Sequence, residues 1–104
     1  DAYLMKAEAM ARNGGDATMM VNTLRTLRGA SPLGSVSLND ILDERARELY
    51  VEFWRRNDLL RFGQFTKDWE WKHPDEVGND ARNLYPIPLA ALVSNPNLTQ
   101  NPGY

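Results

Sequence analysis

The chain has no cysteine among its 104 residues, which excludes disulfides and thiolate-bound metal. No apolar run approaches the roughly 18 residues that a membrane-spanning helix needs. Excess positive charge is also missing: the net charge is −2, without the basic patch of a nucleic-acid-binding protein. No GxGxxG, P-loop or GxSxG pattern occurs, so the usual phosphate cradles and the nucleophile elbow are not in play. Methionine is missing from the first position. Asp1 begins the chain with no signal peptide before it, as expected of a processed or excised piece of a longer protein. What is present is ordinary for a globular domain: 42% hydrophobic and 25% charged residues, in a length that allows one domain with one small core.

Helical periodicity dominates the first half. Tyr3, Ala7, Met10 and Ala11 recur at i, i+4, i+7 and i+8, one stripe of an amphipathic helix. Glu8 and Arg12 form an i,i+4 pair in the favourable orientation. Gly14 and Gly15 end this helix, and Asp16 is positioned to cap a second one carrying Ala17, Met20, Val21, Leu24 and Leu27 on one face. Gly29 stops it. Two such helices joined by a Gly-Gly turn make an αα-hairpin of tetratricopeptide type. Ser37 and Asp40 then approximate a capping box, with Asp in place of the usual Glu or Gln. The pattern beyond them predicts one long helix from about Leu38 to Phe62. After Gly63 the chain turns irregular, with prolines at 74, 86, 88, 96 and 102, and "PLAALVSN" can form one short helix opened by Pro88. The expected fold class is all-α: a tetratricopeptide-like hairpin plus a long helix, with an irregular C-terminal wrap.

On a continuous helix, Leu38, Ile41, Leu42, Leu49, Phe53, Leu59 and Leu60 share one face, and Arg45, Glu52 and Arg56 fall within it. Charged groups on a core-facing stripe need partners. Glu52 and Arg56 stand at i,i+4, and Glu48 is four residues from Glu52. Arg45, Glu48, Glu52 and Arg56 are therefore expected to form a semi-buried structural network. The functional alternative is a catalytic or metal-binding row of Glu44, Glu48 and Glu52. The arginines at 45, 47, 55 and 56 favour neutralisation over chemistry, so no catalytic residue and no metal site is assigned. His73, the single histidine, precedes a proline and is expected in solvent. Tyr50 and Trp54 lie four apart on the side opposite the leucines, a second face for further protein or a ligand to cover. Trp69 and Trp71 flank Glu70 and would face one way if extended. They are the candidate sugar-stacking pair, weighed against burial on the long helix. The closing "NPNLTQNPGY" carries three Asn, two Pro, one Gly and no charge, which favours ordered turns over a disordered tail.

Three stretches taken together are recognisable: "ERARELYVEFWRRNDLLRFGQF", "WEWKH" and "LYPIPLAALVSNPNLTQNPGY". They resemble the C-terminal part of the SusD/RagB family, and "AYLMKAEAMAR" with "VNTLR" resembles that family's last tetratricopeptide-like hairpin. The matching positions are Glu44, Arg45, Glu48, Leu49, Glu52, Arg55, Arg56, Asp58, Leu59, Arg61, Phe62 and Gly63, then Asn95, Pro96, Leu98, Gln100, Asn101, Pro102, Gly103 and Tyr104. Phe53-Trp54 departs from the pattern, which often has glycine before the arginine pair. The resemblance implies that residues 1–104 are the C-terminal portion of a SusD-like domain. It further implies a surface-exposed lipoprotein of the outer membrane that captures an oligosaccharide or polysaccharide through its full-length chain. The implied partner is a SusC-like TonB-dependent transporter. No cofactor, no catalysis and no nucleic acid is implied, and the tail becomes the end of the full chain, packed back on its body. Two readings compete with this one. A free-standing helical protein-interaction module would dock through Tyr50 and Trp54. A glycoside hydrolase would need a carboxylate pair at defined separation, and the acidic residues here sit among arginines.

Overall fold

A computed structural model describes residues 1–104, which form helices, turns and irregular chain without any strand. Five α-helices follow in order: α1 (Ala2–Arg12), α2 (Thr18–Leu27), α3 (Leu38–Glu48), α4 (Arg55–Arg61) and α5 (Leu89–Ser94). Short 3₁₀ turns at Pro74–Glu76 and Asp80–Asn83 precede α5. The expected all-α class holds. The chain divides into two units, residues 1–59 and 60–104.

In the first unit, α1 packs against both α2 and α3. Gly14 makes the hairpin turn at φ 79°, a conformation costly for residues with a Cβ. Asp16 accepts a hydrogen bond from the Thr18 N–H at 2.8 Å, so it caps α2 from just outside the helix. Ala7, Ala17, Val21 and Ile41 form the centre of the core, ringed by Met10, Ala11, Met20, Val36 and Leu38. Three of these residues are alanines, and their small side chains allow α1 close approach to its neighbours. Leu27 departs from its expected place and is 75% exposed at the end of α2. The link to α3 is fixed from α2: the Asn22 amide donates to Leu33 O and accepts from Leu33 N–H, both at 2.8 Å. The Ser37–Asp40 capping box then starts α3 as the sequence predicts.

The long helix predicted over 38–62 is interrupted. α3 ends at Glu48, the chain turns through residues 49–54, and α4 starts at Arg55. Val51 and Phe53 have φ of 67° and 63°, in the left-handed region that ends an α-helical hydrogen-bond ladder. Residues 50, 51, 53 and 54 are Tyr, Val, Phe and Trp, weaker helix formers than the Leu, Glu, Arg and Ala of residues 44–49. Phe53-Trp54 stands where the resembling pattern often has glycine before the arginine pair, and Phe53 takes a backbone conformation that favours glycine. Tyr50 and Trp54 consequently do not share a helical face.

The second unit is held by turns and side-chain bonds. The Gly78 N–H donates to Thr66 O at 2.7 Å, and the Arg82 guanidinium clamps Glu76 through bonds of 2.6 and 3.0 Å. Pro88 stands at the N-cap of α5, the predicted place. The tail is ordered and lies on residues 81–87. Gln100 bonds both the N–H and the C=O of Ile87 at 2.8 and 2.9 Å. Asn101 donates to Tyr85 O at 2.7 Å, and the Tyr104 hydroxyl donates to Leu84 O at 2.9 Å. Arg82 stacks over the Tyr104 ring, 5.1 Å from its centroid. Gly103 reaches this position at φ 88°, where a Cβ would come within 2.5 Å of the Ala81 Cβ.

Candidate functional site: an ion-paired helical body and an exposed tryptophan turn

The carboxylates of α3 face the arginines of α2. Arg25 Nη1 is 2.8 Å from Glu44 Oε2, and Arg47 approaches the same oxygen at 2.6 Å. One turn further on, Arg28 binds Glu48 through two hydrogen bonds. The spacing explains the fit: Arg25 and the C-cap residue Arg28 are one turn apart at the end of α2, as 44 and 48 are on α3. The Arg28 hydrogen bonds, outweighing partial desolvation, hold the Glu48 carboxyl below its ordinary pKa. Hydrogen bonds from Ser37 do the same for Asp40, and those from Arg82 for Glu76. Carboxyl groups held ionised in this way are poor general acids near neutral pH.

Arg45 lies deepest, and its side chain and that of Asp58 are each 2% exposed. Its Nε donates to Asp58 Oδ2 at 2.8 Å, while Nη1 stands 2.8 Å from Asp1 Oδ1 without an aligned hydrogen bond. The structure therefore distributes the expected network differently. Arg45 is buried as expected, but its partners are Asp58 and Asp1. Glu48 belongs to the pairing with Arg28. Glu52 is exposed in the turn, and Arg56 lies in the first turn of α4. The interruption at 49–54 removes the continuous helix on which the Glu52–Arg56 spacing rested. Asp58, Arg25, Arg28 and Asp1 were not anticipated. Matched one-turn spacings on α2 and α3 were a readable signal for two of them.

Trp69 and Trp71 also separate. The Lys72 N–H donates to Trp69 O at 3.1 Å, closing a turn in which Trp71 takes φ 74°, a position that favours glycine. The extended alternation that would align the two indoles is not formed. Trp69 is about half exposed, and its Nε1 donates to Phe65 O at 3.4 Å. Lys72 Nζ donates to Phe65 O at 2.6 Å and lies 5.4 Å from the Trp69 ring. Trp71 is 93% exposed. His73 is in solvent, with Nδ1 accepting from the Asp75 N–H at 3.3 Å. No three His, Asp or Glu side chains gather into a metal-binding group, and no helix is long and apolar enough to cross a membrane.

The helical body is cross-linked by arginine–carboxylate pairs, and its turns carry exposed aromatics. The chain belongs to the SusD family, which it matches over residues 1–104. It is 42% identical to the starch-binding protein SusD of Bacteroides thetaiotaomicron, across all of this chain and 20% of that one. A SusD-like protein of Formosa agariphila is 33% identical, with 100% of this chain and 23% of the relative aligned. The crystal structure of a SusD superfamily protein from Bacteroides vulgatus superposes with a TM-score of 0.72 at 30% identity, covering 98% of this chain and 26% of that one. The chain thus spans about a fifth of the length of the curated relatives it matches.

Proposed function

We propose that residues 1–104 are the C-terminal portion of a longer glycan-capture protein on the bacterial cell surface. That protein is anchored to the outer membrane as a lipoprotein. It binds an oligosaccharide or polysaccharide without cleaving it and passes it to a SusC-like TonB-dependent transporter. The observation that carries this reading is the 42% identity, over the entire chain, to a relative whose name is starch-binding protein. The geometry supports a mainly scaffolding role for this segment. Glu44, Glu48 and Asp58 are engaged by arginines, which leaves them structural tasks. Of the two candidate tryptophans Trp71 is the more exposed, at 93% against 48% for Trp69, and sugar C–H faces stack on such surfaces.

Calorimetric titration of the full-length chain and of residues 1–104 against one glycan panel, headed by malto-oligosaccharides, tests the reading. The full-length chain is expected to bind and leave the glycan intact, and residues 1–104 to bind weakly or not at all. Equal binding by the two would move the site into this segment, where Trp71→Ala should then abolish it. No binding by the full-length chain to any glycan would favour a protein-docking module instead.

A further inference from the structure

The turn at 49–54 presents Tyr50, Val51 and Phe53 to solvent, at 82%, 69% and 92% exposed. Two of the three hold left-handed backbone, which L side chains adopt at a cost and keep where surroundings enforce it. Behind the turn lies a pocket of about 400 Å³, lined by Arg45, Ala46, Leu49, Tyr50, Phe53 and Arg55. Its size is that of a site for one or two side chains, and its walls are largely apolar. Arg45 is nearly completely buried in this wall, and its Nη1 has no aligned acceptor. Asp1 touches the same nitrogen at 2.8 Å, so polypeptide preceding Asp1 would leave the body beside the pocket. The relatives aligned here are four to five times longer than the region they share with this chain, so their length supplies such polypeptide.

We propose that the 49–54 turn and its pocket are the docking site for the stretch of the longer chain that leads into Asp1. An apolar side chain of that stretch fills the pocket, and Phe53 is covered. This rests on the reading of residues 1–104 as one portion of a longer protein, but not on what that protein binds.

The absence of cysteine in residues 1–104 gives a direct test. Phe53→Cys is introduced into the full-length chain and into residues 1–104. Alkylation by iodoacetamide at that position is followed by mass spectrometry, native and in urea. The expected result is labelling at least tenfold slower in the native full-length chain than in urea, and little or no slowing in residues 1–104. Tyr50→Cys, read in the same way, serves if Phe53→Cys prevents folding. Equal rates in the two native forms would overturn the proposal. So would protection in residues 1–104 that grows with protein concentration, since that assigns the surface to a second copy. The labelling is done without glycan, so its failure leaves glycan capture standing, and a loss of glycan binding leaves the labelling result intact.

Discussion

Replacing Asp58 with alanine removes the carboxylate that Arg45 Nε contacts at 2.8 Å and leaves the guanidinium in place. Both side chains are 2% exposed, so water cannot take over the role of Asp58 without opening the core. The remaining counter-charge is Asp1, which is about one-third exposed and misaligned for a hydrogen bond to Nη1. Removing one partner of a buried pair costs about 3–5 kcal/mol. A domain of this length is stable by only about 5–15 kcal/mol in total. For a domain of roughly this size each kcal/mol moves Tm by about 4–8 °C, so Asp58→Ala should lower Tm by at least about 12 °C. The assay is thermal and urea unfolding followed by far-UV circular dichroism. Asp58→Asn, which keeps an acceptor oxygen and loses the charge, should fall between wild type and alanine. Glu48→Ala is the control: it breaks the more exposed pair with Arg28 and should cost no more than about 1 kcal/mol. Joint replacement by apolar residues, Arg45→Met with Asp58→Leu, should recover most of the loss. A shift for Asp58→Ala no larger than that for Glu48→Ala would refute the argument.

Glu52→Ala should be nearly silent, within about 0.5 kcal/mol in the same unfolding assay, because Glu52 is exposed in the 49–54 turn; a loss as large as that of Asp58→Ala would restore the network expected from helical spacing. Gly103→Ala should detach the tail, since the new Cβ would lie 2.5 Å from the Ala81 Cβ at φ 88°; faster proteolysis after residue 94 and increased Tyr104 fluorescence quenching by iodide are the readouts. Stability should also fall in acid. Asp40 and Glu48 have folded pKa values below their ordinary 3.8 and 4.5, so their contribution is present above those values and disappears as pH drops through the lowered ones. Urea midpoints should be flat near neutrality and decline below about pH 4.5, with a shallower decline in Asp40→Asn.

Much of the first unit was legible because its signals are local. The Gly-Gly hairpin, the cap at Asp16 and the Ser37–Asp40 box each depend on residues within a turn of one another, and each formed where the spacing put it. The helix from 38 to 62 was misjudged for a different reason. Its apolar periodicity runs through 49–54 without a glycine or proline to mark a break, while the backbone there adopts left-handed conformations at Val51 and Phe53. The misplacement of the ionic network followed from that one error. Counting along a single helix paired Glu52 with Arg56, whereas Arg45 reaches Asp58 across the turn, thirteen residues away. For Trp69 and Trp71 alternation implies a common face only in extended chain, and a turn closes between Trp69 and Lys72. The tail was read as ordered from its turn-forming residues, yet the particular bonds of Gln100 and Asn101 lie beyond what composition can specify.

Those tail amides also bear on chemical ageing. Asparagine loses its amide fastest when the backbone nitrogen of the next residue attacks its side chain and closes a five-membered imide. Asn95 and Asn101 are each followed by proline, whose nitrogen bears no hydrogen and cannot take this route. The donor that Asn101 directs at Tyr85 O is therefore shielded from conversion into a carboxylate, which would face that carbonyl with nothing to donate. Asn13 precedes Gly14, the neighbour least able to hinder the attack. Its own N–H, rather than its amide, makes the hydrogen bonds to Ala9 O and Met10 O at the end of α1. Spontaneous deamidation of stored protein should thus begin at the hairpin turn, where the amide carries no described contact, and spare the clasp that orders the last residues.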